Sequence, residues 1–90
     1  MAEDRLTIDP ASIFDNVDQH RVEFAATIDG ARHAFAAQYD LLRALSGEDP
    51  NDRAVAAFHA QEDRIATLGT RAFARDQDQV MVVISENDLD

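Results

Sequence analysis

Apolar and polar positions alternate most regularly between Arg21 and Ala37. Val22, Phe24, Ala26 and Ile28 fall on one side, and Arg21, Glu23, Ala25 and Thr27 on the other. This two-residue period predicts a half-buried strand. Asp29-Gly30 follows, a dipeptide that tolerates positive φ and suits a two-residue type I′ turn. With that pair at the turn centre, Ile28 faces Ala31, Ala26 faces His33, Phe24 faces Phe35 and Val22 faces Ala37. A slip of one residue turns one strand's apolar set outward, so the register is well specified. The other side of the hairpin carries Arg21, Glu23, Thr27 and Arg32, with Ala25, Ala34 and Ala36 between them.

Before the hairpin, Leu6-Thr7-Ile8 reads as a short strand ended by Asp9-Pro10, since proline cannot donate to a ladder. Residues 9–20 are polar apart from Ile13, Phe14 and Val17, and are predicted as a loop or one helical turn pinned by Phe14. From Gln38 the period changes. Leu41, Leu42 and Leu45 suit one face of a short helix closed by Ser46-Gly47. Asp49-Pro50 then opens a second helix, with Asp49 as N-cap, Pro50 at the first helical position and Asp52 near the positive end of the dipole. Val55, Phe58, Ile65, Leu68 and Ala72 continue it to about residue 74. Gly69 is a weak point inside it, costing about 1 kcal/mol against Ala. Asp76-Gln77-Asp78 is a loop, and Gln79 to Ser85 a last strand, apolar on both sides and therefore expected at the centre of the sheet.

The predicted fold is α+β: a small antiparallel sheet of three to four strands with two helices on one face, in the order β-β-β-α-α-β. Residues 1–90 form a single domain, with residues 1–4 a disordered N-terminal tail.

Composition narrows the functions. Apolar residues make up 46% of the chain but 16 of them are Ala, which leaves larger side chains for one core and not two. The formal net charge is −10, from 18 acidic and 8 basic residues, every basic one Arg. A chain this acidic repels phosphate, which argues against a free-standing nucleic-acid binder. The lack of Cys rules out a disulfide scaffold, a zinc ribbon and thiol catalysis. No apolar run has the length of a membrane span, and Met1-Ala2-Glu3-Asp4 is acidic where a signal peptide is basic. A soluble cytoplasmic protein is expected. Arg without Lys, together with abundant Ala and Asp, fits a GC-rich genome better than salt adaptation.

Several residues carry the pattern of a known family: Phe14-Asp15, Arg21-Val22 with Phe24, Asp29-Gly30, Leu42, Phe58, Ile65 and the closing Asp88-Leu89. Over roughly Leu6 to Leu89 the chain resembles a small bacterial family, domain of unknown function 1488. The resemblance implies a small antiparallel sheet with two helices in the order given above. It transfers no catalytic residues, because the family has no established activity. Two positions depart from the family pattern: His33 stands where an aliphatic residue is usual, and Gln38 where a Ser or similar helix cap is usual.

Candidate chemistry is sparse. Asp15, Asp18 and His20 lie close in sequence, but a hard-cation loop needs six or more oxygens and usually a turn glycine, which this loop lacks. His59 and Glu62 stand three apart on a predicted helix, yet di-metal bundles need several such pairs; a boundary histidine beside a surface Glu is favoured. His20 and His33 fall at different rungs of the hairpin, which argues against a paired acid–base role. Ser12, Ser46 and Ser85 lack a nucleophile elbow, and Gly30, Gly47 and Gly69 do not make a phosphate loop. The two helices could be mistaken for a helix-turn-helix, but the second begins with acids where a recognition helix presents basic or amide groups. Arg64, Arg71 and Arg75 make a modest basic side on that helix, expected to be exposed and partly paired with Asp63 and other acids.

No catalytic, cofactor-binding or metal site is therefore assigned, and no cofactor is expected. The residues favour a non-catalytic protein-interaction or regulatory module with an unidentified protein partner and neither nucleic acid nor membrane. The alternatives are a nucleic-acid-associated regulator built on the two-helix unit and a small enzyme using His33 or His59. Ala25, Ala34 and Ala36, with one set of side chains from the last strand, leave a flat patch on the open sheet face. A homodimer could cover it. The stems of Arg21, Glu23 and Arg32 folding over that patch, and repulsion between acidic copies, weigh slightly more against a homodimer than the patch does for it.

Overall fold

A computed structural model of the chain describes residues 6–28, 30–50, 53–75 and 80–89. The tail expected over residues 1–4, the turn residue Asp29, Asp52 and the loop Asp76-Gln77-Asp78 lie outside the described residues.

The fold is α+β, with a five-stranded mixed sheet and three α-helices among the described residues. The strands are β1 (Thr7–Ile8), β2 (Phe14–Asn16), β3 (Arg21–Ile28), β4 (Ala31–Gln38) and β5 (Met81–Ile84). The helices are α1 (Tyr39–Ser46), α2 (Ala54–Ala60) and α3 (Glu62–Arg75). The β3–β4 hairpin is the spine, and its register is the one alternation predicts: Val22↔Ala37, Phe24↔Phe35, Ala26↔His33 and Ile28↔Ala31. Gly30 holds φ +82° at the turn, a value that L-residues adopt with difficulty.

β1 and β2 share the other edge of β3. β1 pairs with Ala26 and Thr27, and β2 with Arg21 to Glu23. Between them the chain leaves the ladder in a 3₁₀ turn, Pro10–Ser12. There the Ser12 hydroxyl accepts from Ala25 N at 2.8 Å, and Asp9 N donates to Ala25 O at 2.9 Å. A side-chain oxygen thus stands in for a strand partner. The expectation of a loop or one helical turn over residues 9–20 fits the 3₁₀ turns Pro10–Ser12 and Val17–Gln19 but needs correction between them, since Phe14–Asn16 is a strand. Phe14 does not pin it: its side chain shares the outer face with its partner Glu23 and is 58% exposed. Ile13 supplies the inward anchor, packed against the core.

α1 is closed by Gly47 at φ 84°, whose N–H reaches Arg43 O at 2.7 Å. Its first residue follows Gln38, which makes no side-chain cap. The predicted second helix differs in two ways. It begins at Ala54, not Pro50, because Arg53 N bonds Pro50 O in a preceding turn; Asp49 pairs with Arg43 at 3.6 Å. It also breaks at Gln61 (φ −116°, ψ 19°) into α2 and α3. No Pro or Gly forces the break. α2 lies over β2 and β3 while α3 lies against β5, and Phe58 and Ile65, on either side of the break, are each fully buried.

β5 is shorter than the predicted 79–85, lies at the edge and runs parallel to β4, with Phe35↔Val82 and Ala37↔Ile84. Gln79 lies outside the described residues. Ser85 belongs to a capping box for a 3₁₀ turn, Glu86–Asp88, accepting from Asn87 N while its own N donates to Asp88 at 2.9 Å. The parallel sense follows from the helical crossover that separates β4 from β5. The strand is apolar on both sides for a different reason from the one predicted. Val82 and Ile84 enter the core, while Met81 and Val83 face outward from the sheet.

The core lies between sheet and helices. Val22, Phe24, Ala26, Phe35, Ala37, Val82 and Ile84 meet Leu41, Leu42, Phe58, Ile65 and Leu68, all buried. Phe24 stacks on Phe35 at 5.5 Å and 13°, and leans on Phe58 at 4.9 Å. Gly69 is where α3 comes closest to the sheet. A Cβ there would lie 2.8 Å from Leu6 and 3.2 Å from Ile84. Next to it the Thr70 hydroxyl accepts from Leu6 N at 3.0 Å and donates to Ala66 O, tying the first strand to the last helix.

Candidate functional site

Of the residues singled out in the sequence, the fold gathers two around a third that the sequence reading passed over. Tyr39, at the strand-to-helix junction, donates its hydroxyl to Asp15 of β2 at 2.5 Å. His20 meets the Tyr39 ring edge-on at 5.6 Å. It is the one non-glycine at positive φ among the described residues (56°), and its carbonyl accepts from Tyr39 N at 2.8 Å. Asp18 does not join them. Only the position of the single Tyr after an alternating strand could have hinted at this meeting.

His20 and Tyr39 line a groove of about 520 Å³ with Val17, Asp40, Arg43, Asp49 and Pro50. Burial, then the hydrogen bond and charge of Asp15, push the Tyr39 hydroxyl up to about 12. It therefore stays a proton donor at neutral pH and is a poor nucleophile. Arg43 and Asp49 pair across the mouth, both more than half exposed, a contact of small energetic weight.

The remaining candidates are dispersed. His59 Nδ1 lies 2.7 Å from Glu62 across the α2–α3 break, in the open. His33 packs against Phe73 at 4.5 Å, near the turn end of the hairpin and away from His20. Ser12 is consumed in the β3 edge, Ser46 bonds back to Leu42 O, and Ser85 caps a turn. No cluster of three or more His, Asp or Glu able to hold a metal occurs among the described residues. No helix among them is long and apolar enough to cross a membrane.

The second feature is the face of the sheet away from the helices. The register lays Phe14, Glu23, Ala36 and Val83 in one row across four strands, and Ala25, Ala34 and Met81 in the next. Apolar side chains thus stand at both edges of a flat alanine floor. Phe14 and Val83 are 58% and 36% exposed. The charged groups are tied to one another: Arg21 to Glu23 at 2.9 Å, Asn16 to Glu23 at 2.8 Å, and Arg32 to Asp9 at 3.0 Å. Hydrogen bonds from Asn16 and Arg21 hold the Glu23 carboxyl below its ordinary range, and Arg32 with Ala11 N does the same for Asp9. Two Arg and two carboxylates cancel here, on a chain of net charge −10.

No family's sequence profile matches the chain, and no curated protein does. Among solved structures, a protein of unknown function from the DUF1488 family of Shewanella loihica PV-4 superposes with a TM-score of 0.74 at 12% identity. The match covers 94% of this chain and 97% of that one. At such identity the likeness is one of fold, and nothing in it indicates a specific function. The chain thus has the fold of a DUF1488 protein, the fold that the expected resemblance implied.

Proposed function

We propose that the protein is a non-catalytic interaction module of a bacterial cytoplasm, working through the open face of its sheet, and that a second copy is one partner for that face. The observation that carries this reading is the row Phe14–Glu23–Ala36–Val83, apolar and exposed at both ends, on a face whose two Arg and two carboxylates cancel. Exposed apolar groups of this kind are what a partner surface covers. A two-fold axis along the strands would bring β5 of one copy over β2 of the other. Phe14 would then meet Met81 and Val83 at both ends of a self-complementary contact. Ala36, in the middle of the row, is already covered within the chain, so the apolar surface left open is at the two ends, Phe14 and Val83; Arg32 reaches Asp9, and Arg21 and Glu23 hold each other. Repulsion between acidic copies acts elsewhere on the surface and is screened by salt.

Sedimentation equilibrium across roughly 10–500 µM, a window spanning weak to moderate association energies, tests the self-association. A dimer that strengthens with salt and is lost in Phe14→Asp is the expected result. A monomer throughout, at low and high salt, removes the second copy as partner. A crosslinked cellular partner whose capture is indifferent to Phe14→Asp would remove the open face itself.

A further inference from the structure

The groove of about 520 Å³ beside Tyr39 shares no residue with the row from Phe14 to Val83. Three stretches of chain build it. Val17 and His20 come from the turn before β3, Tyr39, Asp40 and Arg43 from α1, and Asp49 and Pro50 from the segment after α1. Pro50 is buried and Val17 is 61% exposed, so the apolar lining runs from the interior out to the rim.

Two chemistries meet in it. The first is aromatic. His20 stands edge-on to Tyr39, with the ring planes at 86°. The Tyr39 hydroxyl is given to Asp15, so what Tyr39 offers a ligand is its ring. A phenol that donates to a carboxylate carries more electron density in its ring, which strengthens the attraction of the ring face for a cation. The second is spare carboxylate capacity. Asp40 accepts from Glu86 N through Oδ1 at 3.2 Å, and Asp49 faces Arg43 at 3.6 Å, an ion pair too long for a hydrogen bond. Each carboxylate has acceptor positions to spare. Two carboxylates against one Arg leave the lining negative, and the net charge of −10 draws cations toward it.

We propose that this groove receives an arginine side chain from a segment of a partner protein, its guanidinium against the Tyr39 ring and on Asp40, its stem along Val17 and Pro50. Arginine suits this lining better than lysine, because its planar, weakly hydrated head stacks on a ring and forks to a carboxylate at once. Arg43 is the resident cation, and its exposed contact with Asp49 is easily given up. A phosphate or an acidic peptide would meet Asp40 and Asp49 instead.

The chain holds one Tyr and no Trp, so its intrinsic emission reports Tyr39. The probe is a blocked alanine peptide with a central Arg, titrated into the full chain and followed by tyrosine fluorescence and amide chemical shifts. Peptides with Lys or Glu in place of Arg, and N-acetylarginine amide, serve as comparisons. Saturable binding in the millimolar range or tighter is expected for the Arg peptide, with shifts centred on Val17, His20, Tyr39 and Asp40. Asp40→Asn, whose amide oxygen can still accept from Glu86 N, is expected to weaken it about tenfold, the scale of a lost charge-assisted hydrogen bond. Asp49→Asn, at an exposed position, is expected to weaken it less, and Arg43→Gln to tighten it. Asp9→Asn, which removes the same charge beside Arg32, is expected to leave it unchanged. The proposal is overturned by no saturable change, by equal binding of the Lys or Glu peptide, or by N-acetylarginine amide binding as tightly as the peptide. Shifts centred elsewhere, an Asp40→Asn protein of unchanged melt and affinity, equal losses in Asp9→Asn and Asp40→Asn, or weaker binding in Arg43→Gln would each overturn it too.

Discussion

On the helix side of the sheet, Val22, Phe24, Phe35, Val82 and Ile84 are at most 3% exposed; on the other side of the same sheet, Phe14 and Val83 remain in contact with water. Both faces arise from one two-residue period, so alternation alone does not account for the difference. Among the described residues, three α-helices cover one face and none covers the other. The covered face is filled with rings and branched chains. The open face is floored with Ala and crossed by a polar bridge of Asn16, Glu23 and Arg21. The contrast separates residues that hold the fold from residues free to serve something else.

The sharpest way to break the comparison is Phe24→Ala. The ring is 3% exposed and touches both Phe35 and Phe58, so its loss is expected to cost about 3–5 kcal/mol. Domain stabilities are commonly about 5–15 kcal/mol, and a urea melt should show most of the margin gone. A change under about 1 kcal/mol would mean that the covered face is not the core.

Gly69→Ala probes how closely α3 seats on that face. Helix propensity favours Ala by about 1 kcal/mol, but the added methyl meets Leu6 and Ile84, and overpacking costs about 1–3 kcal/mol. A net loss of about 1 kcal/mol is expected on these two terms. In a Leu6→Ala background the closest obstacle is gone, and the same substitution should turn neutral or stabilising. Equal effects in both backgrounds would show that α3 and Leu6 do not crowd one another.

Tyr39 sits at the rim between covered and open surfaces, and titration reads it. Its hydroxyl is raised from an ordinary 10.0 to about 12, first by burial and then by Asp15. Below pH 10 its contribution to stability is complete. As pH rises from 10 through about 12, the unfolded chain releases the proton more readily than the folded one, and stability falls. Tyr39→Phe should flatten this alkaline limb. An identical limb in the variant would assign it to other groups.

The smallest effect is expected on the open face. Phe14→Ser should change the monomer's stability by no more than about 0.5 kcal/mol, while removing the concentration dependence of its sedimentation. A larger destabilisation in dilute solution would mean that Phe14 packs within its own chain.

The hairpin was legible because every constraint on it is local: alternation, a turn dipeptide and facing Phe residues all point to one register. α1 was legible for the same reason, down to the glycine that ends it. What escaped was decided at a distance. β2 is three residues long with its largest side chain outward, so no period could reveal it. The break at Gln61 has no breaker residue and follows from two helices seating over different strands. Gly69 looks like a weakness in sequence and becomes a contact point only once Leu6 and Ile84 arrive beside it. β5 looked central because it is apolar on both sides, a pattern that an open apolar face produces equally well. The Tyr39 groove escaped for a similar reason: Asp15 and His20 lie close in sequence, but Tyr39 opens α1 beyond the whole hairpin, and no spacing along the chain brings it to them.

The parallel seam between β4 and β5 pairs Ala34 with Met81 and Ala37 with Ile84, with all three helices lying between them in the chain. Closing so long a loop is slow compared with forming the hairpin. The expected order is therefore hairpin first, helices next, seam last, with β4 exposing a ready edge to other nascent chains until β5 arrives. Pulsed hydrogen exchange during refolding should protect the amides of β3 and β4 that face each other well before those of Val82 and Ile84. Simultaneous protection would mean that the whole sheet condenses in one step.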